Sequence, residues 1–162
     1  MKILGIDPGL GRCGWAIITR EKNKYQMIEY GCIETSSKLS DSERLVFLKQ
    51  ELDRIIVKFK PDVAVVEQLF FFKNQKTIIQ VGQARGIILL AIAEKSITLQ
   101  ELTPLQVKMS LTGYGKADKS QIQKMVKVIL KLEIIPKPDD AADALAIALA
   151  QNNDYSSKKN KA

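Results

Sequence analysis

The chain has 162 residues, a formal charge of +7, 46% hydrophobic residues, two cysteines and no histidine. Its length suits one globular domain, and its apolar content is that of a folded rather than a disordered chain. The lack of histidine excludes a Ser-His-Asp triad, an imidazole base and a histidine-ligated metal; Cys13 and Cys32 form no C-x-x-C pair, so catalysis must run on carboxylates, lysines or hydroxyls.

Lys2–Asp7 reads as a buried strand, followed by a Pro/Gly-rich turn over Pro8–Gly14 and a β-rich run over Trp15–Thr19. A polar turn at Glu21–Lys24 leads to a third strand over Tyr25–Thr35. Short turns make these three strands antiparallel neighbours. Ser40-Asp41-Ser42-Glu43 fits a capping box, and Leu45, Leu48, Leu52, Ile55, Ile56 and Phe59 follow at helical spacing until Pro61. Val63–Val66 is continuously apolar, as in a strand buried on both faces, and ends in Glu67. The loop Gln68–Gln75 precedes a long apolar helix over roughly Lys76–Lys95. A short strand at Ile97–Leu102 is followed by a Thr103-Pro104 helix start with a helix to Leu111. After the turn Gly113-Tyr114-Gly115, Asp118 caps a helix reaching Lys131, and a last helix runs from Asp139 to about Gln151. The order β-β-β-α-β-α-β-α-α-α predicts an α/β fold with a mixed five-stranded sheet and helices on both faces. Residues 1–151 form the expected domain and 152–162 a disordered basic tail. The most apolar run, Ile87–Ala93, is too short to span a bilayer, and Met1–Asp7 lacks a signal-peptide pattern. The expectation is a cytoplasmic protein with no membrane partner.

Four carboxylates stand out by position. Asp7 and Glu67 close two strands, where sites form in open α/β sheets. Asp140 and Asp143 lie three apart at the start of a helix otherwise made of alanine, leucine and isoleucine, which puts them on one face. Acids gathered on buried elements without cationic partners favour a hard divalent ion, Mg²⁺ or Mn²⁺, and two such ions can hydrolyse a phosphodiester. The alternatives are ordinary: Asp140 as a charge at a helix N-terminus, Asp7 as a turn residue. Gly9-Leu10-Gly11-Arg12-Cys13-Gly14 matches G-x-G-x-x-G, but a strand rather than a helix follows, so a hairpin turn with glycines at positive φ is expected instead of a dinucleotide site. Phe70-Phe71-Phe72 offers aromatics that either stack on an unpaired base or fold inward. The long helix, with Gly82 and Gly86 among Ile87, Ile88 and Leu90, either fills the core or packs on a second copy. Thr103–Lys131 holds six lysines against Asp118, a face that either steers the chain to nucleic acid or is merely solvated.

In combination, these motifs resemble the RuvC family of crossover-junction endodeoxyribonucleases. The resemblance rests on Ile3–Gly9 with Gly14-Trp15, Glu67-Gln68 with Phe70 and Lys73-Asn74, and Gly82–Gly86. Gln106-Val107-Lys108, Lys119-Ser120-Gln121 and Asp140–Ala146 complete it. It implies an RNase H-like fold, a homodimer, and a nuclease that resolves four-way (Holliday) DNA junctions by paired cuts leaving 5′-phosphate and 3′-hydroxyl ends. It implies two Mg²⁺ (or Mn²⁺) ions on Asp7, Glu67, Asp140 and Asp143, with Phe70 near the junction centre and Lys108 and Lys119 on the DNA backbone. It places the helix of Gly82, Gly86, Ile87 and Leu90 at the dimer interface and implies a RuvA–RuvB branch-migration partner. Family members carry histidine at the position of Asp140 or after the last helix, and this chain has neither. A non-catalytic junction binder would have lost a carboxylate, and all four are present; an actin-like ATPase would need a second domain.

Overall fold

The computed structural model describes residues 1–22, 24–68 and 75–151, with only the backbone at 75–77. Phe70–Phe72, Lys73, Asn74 and the tail 152–162 lie outside the described residues. Ten elements follow in the expected order: β1 (Lys2–Asp7), β2 (Arg12–Glu21), β3 (Lys24–Glu34), α1 (Asp41–Phe59), β4 (Val63–Glu67), α2 (Gln75–Glu94), β5 (Thr98–Leu102), α3 (Pro104–Thr112), α4 (Lys119–Ile129) and α5 (Asp139–Leu149). The five strands form one sheet in the order β3-β2-β1-β4-β5. The β1–β2 and β2–β3 pairs are antiparallel, and β1–β4 and β4–β5 are parallel. Among the described residues, no helix is long and apolar enough to cross a membrane.

The two-residue period of a strand sends alternate side chains to opposite faces. Ile3 of β1 and Val63 and Val65 of β4 join α3, α4 and α5 in one core. Leu4 and Ile6 of β1 and Ala64 and Val66 of β4 join α1 and α2 in the other. Helices thus cover both faces, as expected. α5 buries eight of its eleven residues, five of them alanines. Small side chains let it lie close to the sheet: a Cβ at Gly5 of β1 would overlap the Ala144 carbonyl and crowd Ala148. Glycine is required there by this close approach, since α5 would otherwise be lifted off β1.

The hairpin between β1 and β2 differs from expectation. β2 begins at Arg12, three residues early, with Gly14 paired to Asp7 inside the ladder. Gly9, Gly11 and Gly14 do not take positive φ; Gly113 alone among the described glycines does. Gly14 is needed for space instead, because a Cβ there would run into the backbone carbonyl of Asp140. The absence of a helix after these glycines agrees with rejecting the dinucleotide motif.

Candidate active site

Asp7 and Glu67 follow the Ile6–Val66 pairing of the parallel strands β1 and β4, so they end neighbouring strands at the same edge. By the two-residue period, both fall on the face covered by α5, whose first turn carries Asp139 and Asp140, with Asp143 one turn further on. α5 is drawn onto this face by the Gly5 and Gly14 approaches, which fixes the height of its acidic end over the strand ends. Asp7, Glu67 and Asp143 then line a cleft of about 220 Å³, together with Lys108 and Val107 of α3 and Lys119 of α4.

The electrostatics are those of crowded acids. Burial, followed by repulsion from Glu67, Asp143 and Asp140, pushes the Asp7 carboxyl from 3.8 to about 8, with only Lys119 acting the other way. Burial and then Asp143 push Glu67 from 4.5 to about 7, against the pull of Lys108. Asp143 is also raised, chiefly by burial, although Lys119 offsets part of the effect. Asp7 and Glu67 keep some surface open to the cleft. Their dehydration is therefore partial, and repulsion supplies much of the remainder.

Sequence reasoning expected these acids to lack cationic partners, and the structure corrects this. The Arg12 side chain donates from Nε to Asp140 Oδ2 at 2.7 Å and pairs with Glu34 at 2.8 Å. Lys119 Nζ donates to Asp143 Oδ2 at 3.0 Å and stands 3.5 Å from Asp139 Oδ2. Lys137 holds Asp139 at 2.7 Å. Among the described residues, no three acidic or thiol side chains form a ready metal-ligating group. Asp140 and Asp143 are turned toward Arg12 and Lys119. The donor set nevertheless fits a hard divalent cation: it is wholly carboxylate oxygen, and Asp7 and Glu67 face the cleft with no ion pair of their own among the described residues.

The structure brings Asp7, Glu67, Asp143, Lys108 and Lys119 to one cleft and sets Asp140 of α5 beside it, against Arg12 and Gly14 of β2. Phe70 falls outside the described residues. On α2, Ala84, Ile88, Ala91 and Ile92 are buried in the protomer's own core, with Ile87 partly buried against it. Gly86 and Leu90 face outward, and a Cβ at Gly86 would meet nothing within 4 Å. Ile88 therefore belongs to the core rather than to a second copy. Arg12 and Asp139 were not singled out from sequence. Arg12 lies 128 residues from its partner Asp140, so no local pattern marks the pair.

The crossover junction endodeoxyribonuclease RuvC family model matches residues 3–151. The chain belongs to the RuvC family. Its relatives include crossover junction endodeoxyribonuclease RuvC of Fusobacterium nucleatum, 52% identical over 98% of this chain and 83% of that protein. The solved RuvC structure of Thermus thermophilus superposes with a TM-score of 0.87 at 33% identity, covering 93% of this chain and 92% of the other. The same organism's RuvC in complex with a Holliday junction substrate gives a TM-score of 0.84 at 30% identity over the same shares. This RuvC-family chain thus shares its mixed sheet and flanking helices with a protein seen on a four-way junction.

Proposed function

We propose that this chain is a structure-selective endonuclease that resolves four-way DNA junctions by paired, symmetric incisions, in homologous recombination and DNA repair. One observation carries the reading: Asp7, Glu67 and Asp143 share a cleft with Lys108 and Lys119, in a chain that matches nearly all of a junction-bound RuvC. Asp7, Glu67, Asp140 and Asp143 hold two divalent ions, Mg²⁺ or Mn²⁺. When bound, such ions supply Lewis-acid charge at the scissile phosphate and make water a better nucleophile. The acids supply the negative charge that draws the ions in. Lys108 and Lys119 take phosphate oxygens on the strand to be cut, and Lys119 releases Asp143 as it does so. Arg12 and Lys119 meanwhile keep Asp140 and Asp143 paired in the metal-free protein, which limits repulsion within the cluster.

Two equivalent cuts need two equivalent sites, and one chain carries one set of carboxylates. A two-fold homodimer supplies the second. The outward stripe of α2, with Ile79, Gly86 and Leu90 exposed, is a surface suited to such an interface. The proposed setting is the cytoplasm, with a RuvA–RuvB complex as the branch-migration partner.

The Glu67→Gln protein tests the reading. It removes one ionisable ligand while keeping size and hydrogen-bonding capacity. Cutting of a synthetic junction in Mg²⁺ should be abolished, and junction binding in a gel shift should survive. Cutting near the wild-type rate would overturn the carboxylate assignment.

A further inference from the structure

Beside the cleft wall formed by Pro104, Val107 and Lys108, α3 carries an exposed apolar pair. On α3, Leu105 and Met109 lie one turn apart and are 58% and 48% exposed. They flank Lys108, which lines the cleft. The turn after α3 folds back onto this pair: a Cβ at Gly115 would press on Leu105 Cδ1 and approach Met109 Sδ at 3.5 Å. The residue before it, Tyr114, is 56% exposed. This turn leads from α3, whose Lys108 lines the cleft one helical turn before the helix ends, to Lys119 at the start of α4, which lines it too.

The turn is well braced. Gly113 takes a left-handed conformation, with φ of 68°, and donates its N–H to the Met109 carbonyl. The Tyr114 N–H donates to Thr112 Oγ1 at 3.0 Å, and Thr112 Oγ1 donates to the Lys108 carbonyl at 2.8 Å. The Tyr114 carbonyl accepts from Ala117 N–H at 3.1 Å. An exposed aromatic is thus held on a backbone fixed on both sides, and little further ordering is needed for it to bind. Its surroundings are cationic: Lys116 is exposed two residues on, Lys119 opens α4 just after the turn, and Lys108 lies on α3 one helical turn before that helix ends. The nearby acid Asp118 is engaged as the α4 cap, accepting from Gln121 N–H at 2.8 Å.

The geometry points to Tyr114 as a contact for the DNA strand flanking the cut, with Leu105 and Met109 as an apolar floor beside it. Charge complementarity selects the occupant. A nucleic-acid strand alternates apolar sugar and base faces with phosphates, and this surface alternates apolar side chains with lysines. The ring packs on the sugar or base face, and the neighbouring lysines take the phosphates, which holds the strand in register with the carboxylates. This inference rests on the junction-cutting reading.

Tyr114→Ala, Tyr114→Trp and Lys116→Gln proteins test it, using full-length chain and a synthetic four-way junction in EDTA. Tyr114 is exposed, so the alanine protein should melt within about 1–2 °C of wild type. Its junction affinity should fall about fivefold or more, the lower end of the loss for an aromatic nucleic-acid contact. The loss should be the same at every salt concentration, because tyrosine carries no charge, whereas Lys116→Gln should flatten the salt dependence. Emission from the Tyr114→Trp protein should change on adding junction by more than the wild-type signal, which reports Trp15 alone. Wild-type affinity in the alanine protein, or an emission change no larger than wild type, overturns the inference and leaves the proposed function standing. A wild-type protein that does not bind the junction overturns both.

Discussion

Replacing Asp7 by asparagine separates the stability of the site from its chemistry. The Asp7 carboxyl is raised from 3.8 to about 8 by burial and then by Glu67, Asp143 and Asp140. In the unfolded chain the group ionises near its ordinary value. Across the window from 3.8 to about 8, the folded protein therefore retains a proton that the unfolded chain has lost. Stability must fall as pH rises through that window, and the loss is complete above it. At about 1.4 kcal/mol per pH unit, the ceiling at pH 7 is roughly 4 kcal/mol. The carboxyl opens partly to water and shares its repulsion with Glu67, so about 1–3 kcal/mol is the expected gain on removing the ionisable group, whose protonation on folding is what costs stability. Asparagine has nearly the same shape. Without metal at pH 7, Asp7→Asn should melt several degrees above wild type, at about 2–4 °C per kcal/mol for a chain of this size. The gap should close as pH falls toward the ordinary carboxylate range, and cutting should be lost throughout. Adding Mg²⁺ should raise the wild-type melting temperature more than the variant's. Thermal melts from acid to neutral pH in EDTA provide the measurement. A variant that melts at or below wild type at pH 7, with the same pH slope, would refute the argument that the cluster is held together against its own repulsion.

The lysine assignment predicts that Lys108→Gln or Lys119→Gln lowers the log–log salt slope of junction binding by about 1, as expected for one lost phosphate contact. An unchanged slope would show that the side chain serves only its carboxylate neighbour. At the proposed dimer face, Leu90→Arg should shift the protein toward monomer in micromolar sedimentation runs with its melting temperature nearly unchanged, because Leu90 is 49% exposed within the protomer. Paired incision should then be lost before single-strand nicking. An arginine at Ile88 would not make this test, since Ile88 is fully buried in the protomer's own core and the charge would unfold the chain.

Most of the fold was legible because local signals agreed with one another. The capping boxes at Ser40, Thr103 and Asp118 are all formed, and each opens its helix where the pattern put it. The continuous apolar run before Glu67 is a central strand with neighbours on both sides. The positions of Asp7 and Glu67 followed from strand ends, and those of Asp140 and Asp143 from a helix too apolar to carry acids on a solvent face. What escaped the sequence was long-range. Gly14 looked like a turn residue because its need for space arises from Asp140, on the far side of the chain. Arg12 and Lys119 reach their acids only after α5 and α4 have docked, and no spacing rule connects residues so far apart. For the same reason, the separation of α2 into a core row at Ala84, Ile88 and Ala91 and an outer row at Gly86 and Leu90 needed the packing of α1 and β4. A helix apolar nearly all round does not declare which row faces inward.

Strand mapping would decide whether this carboxylate cleft cuts four-way junctions with divalent metal. A synthetic junction labelled on each strand in turn would be incubated with wild-type protein in Mg²⁺ or in EDTA, beside a linear duplex of the same sequence. Nicks should fall at symmetry-related positions on two opposing strands in Mg²⁺, with none in EDTA and little cutting of the duplex. Equal cutting of duplex and junction, or undiminished cutting in EDTA, would contradict it.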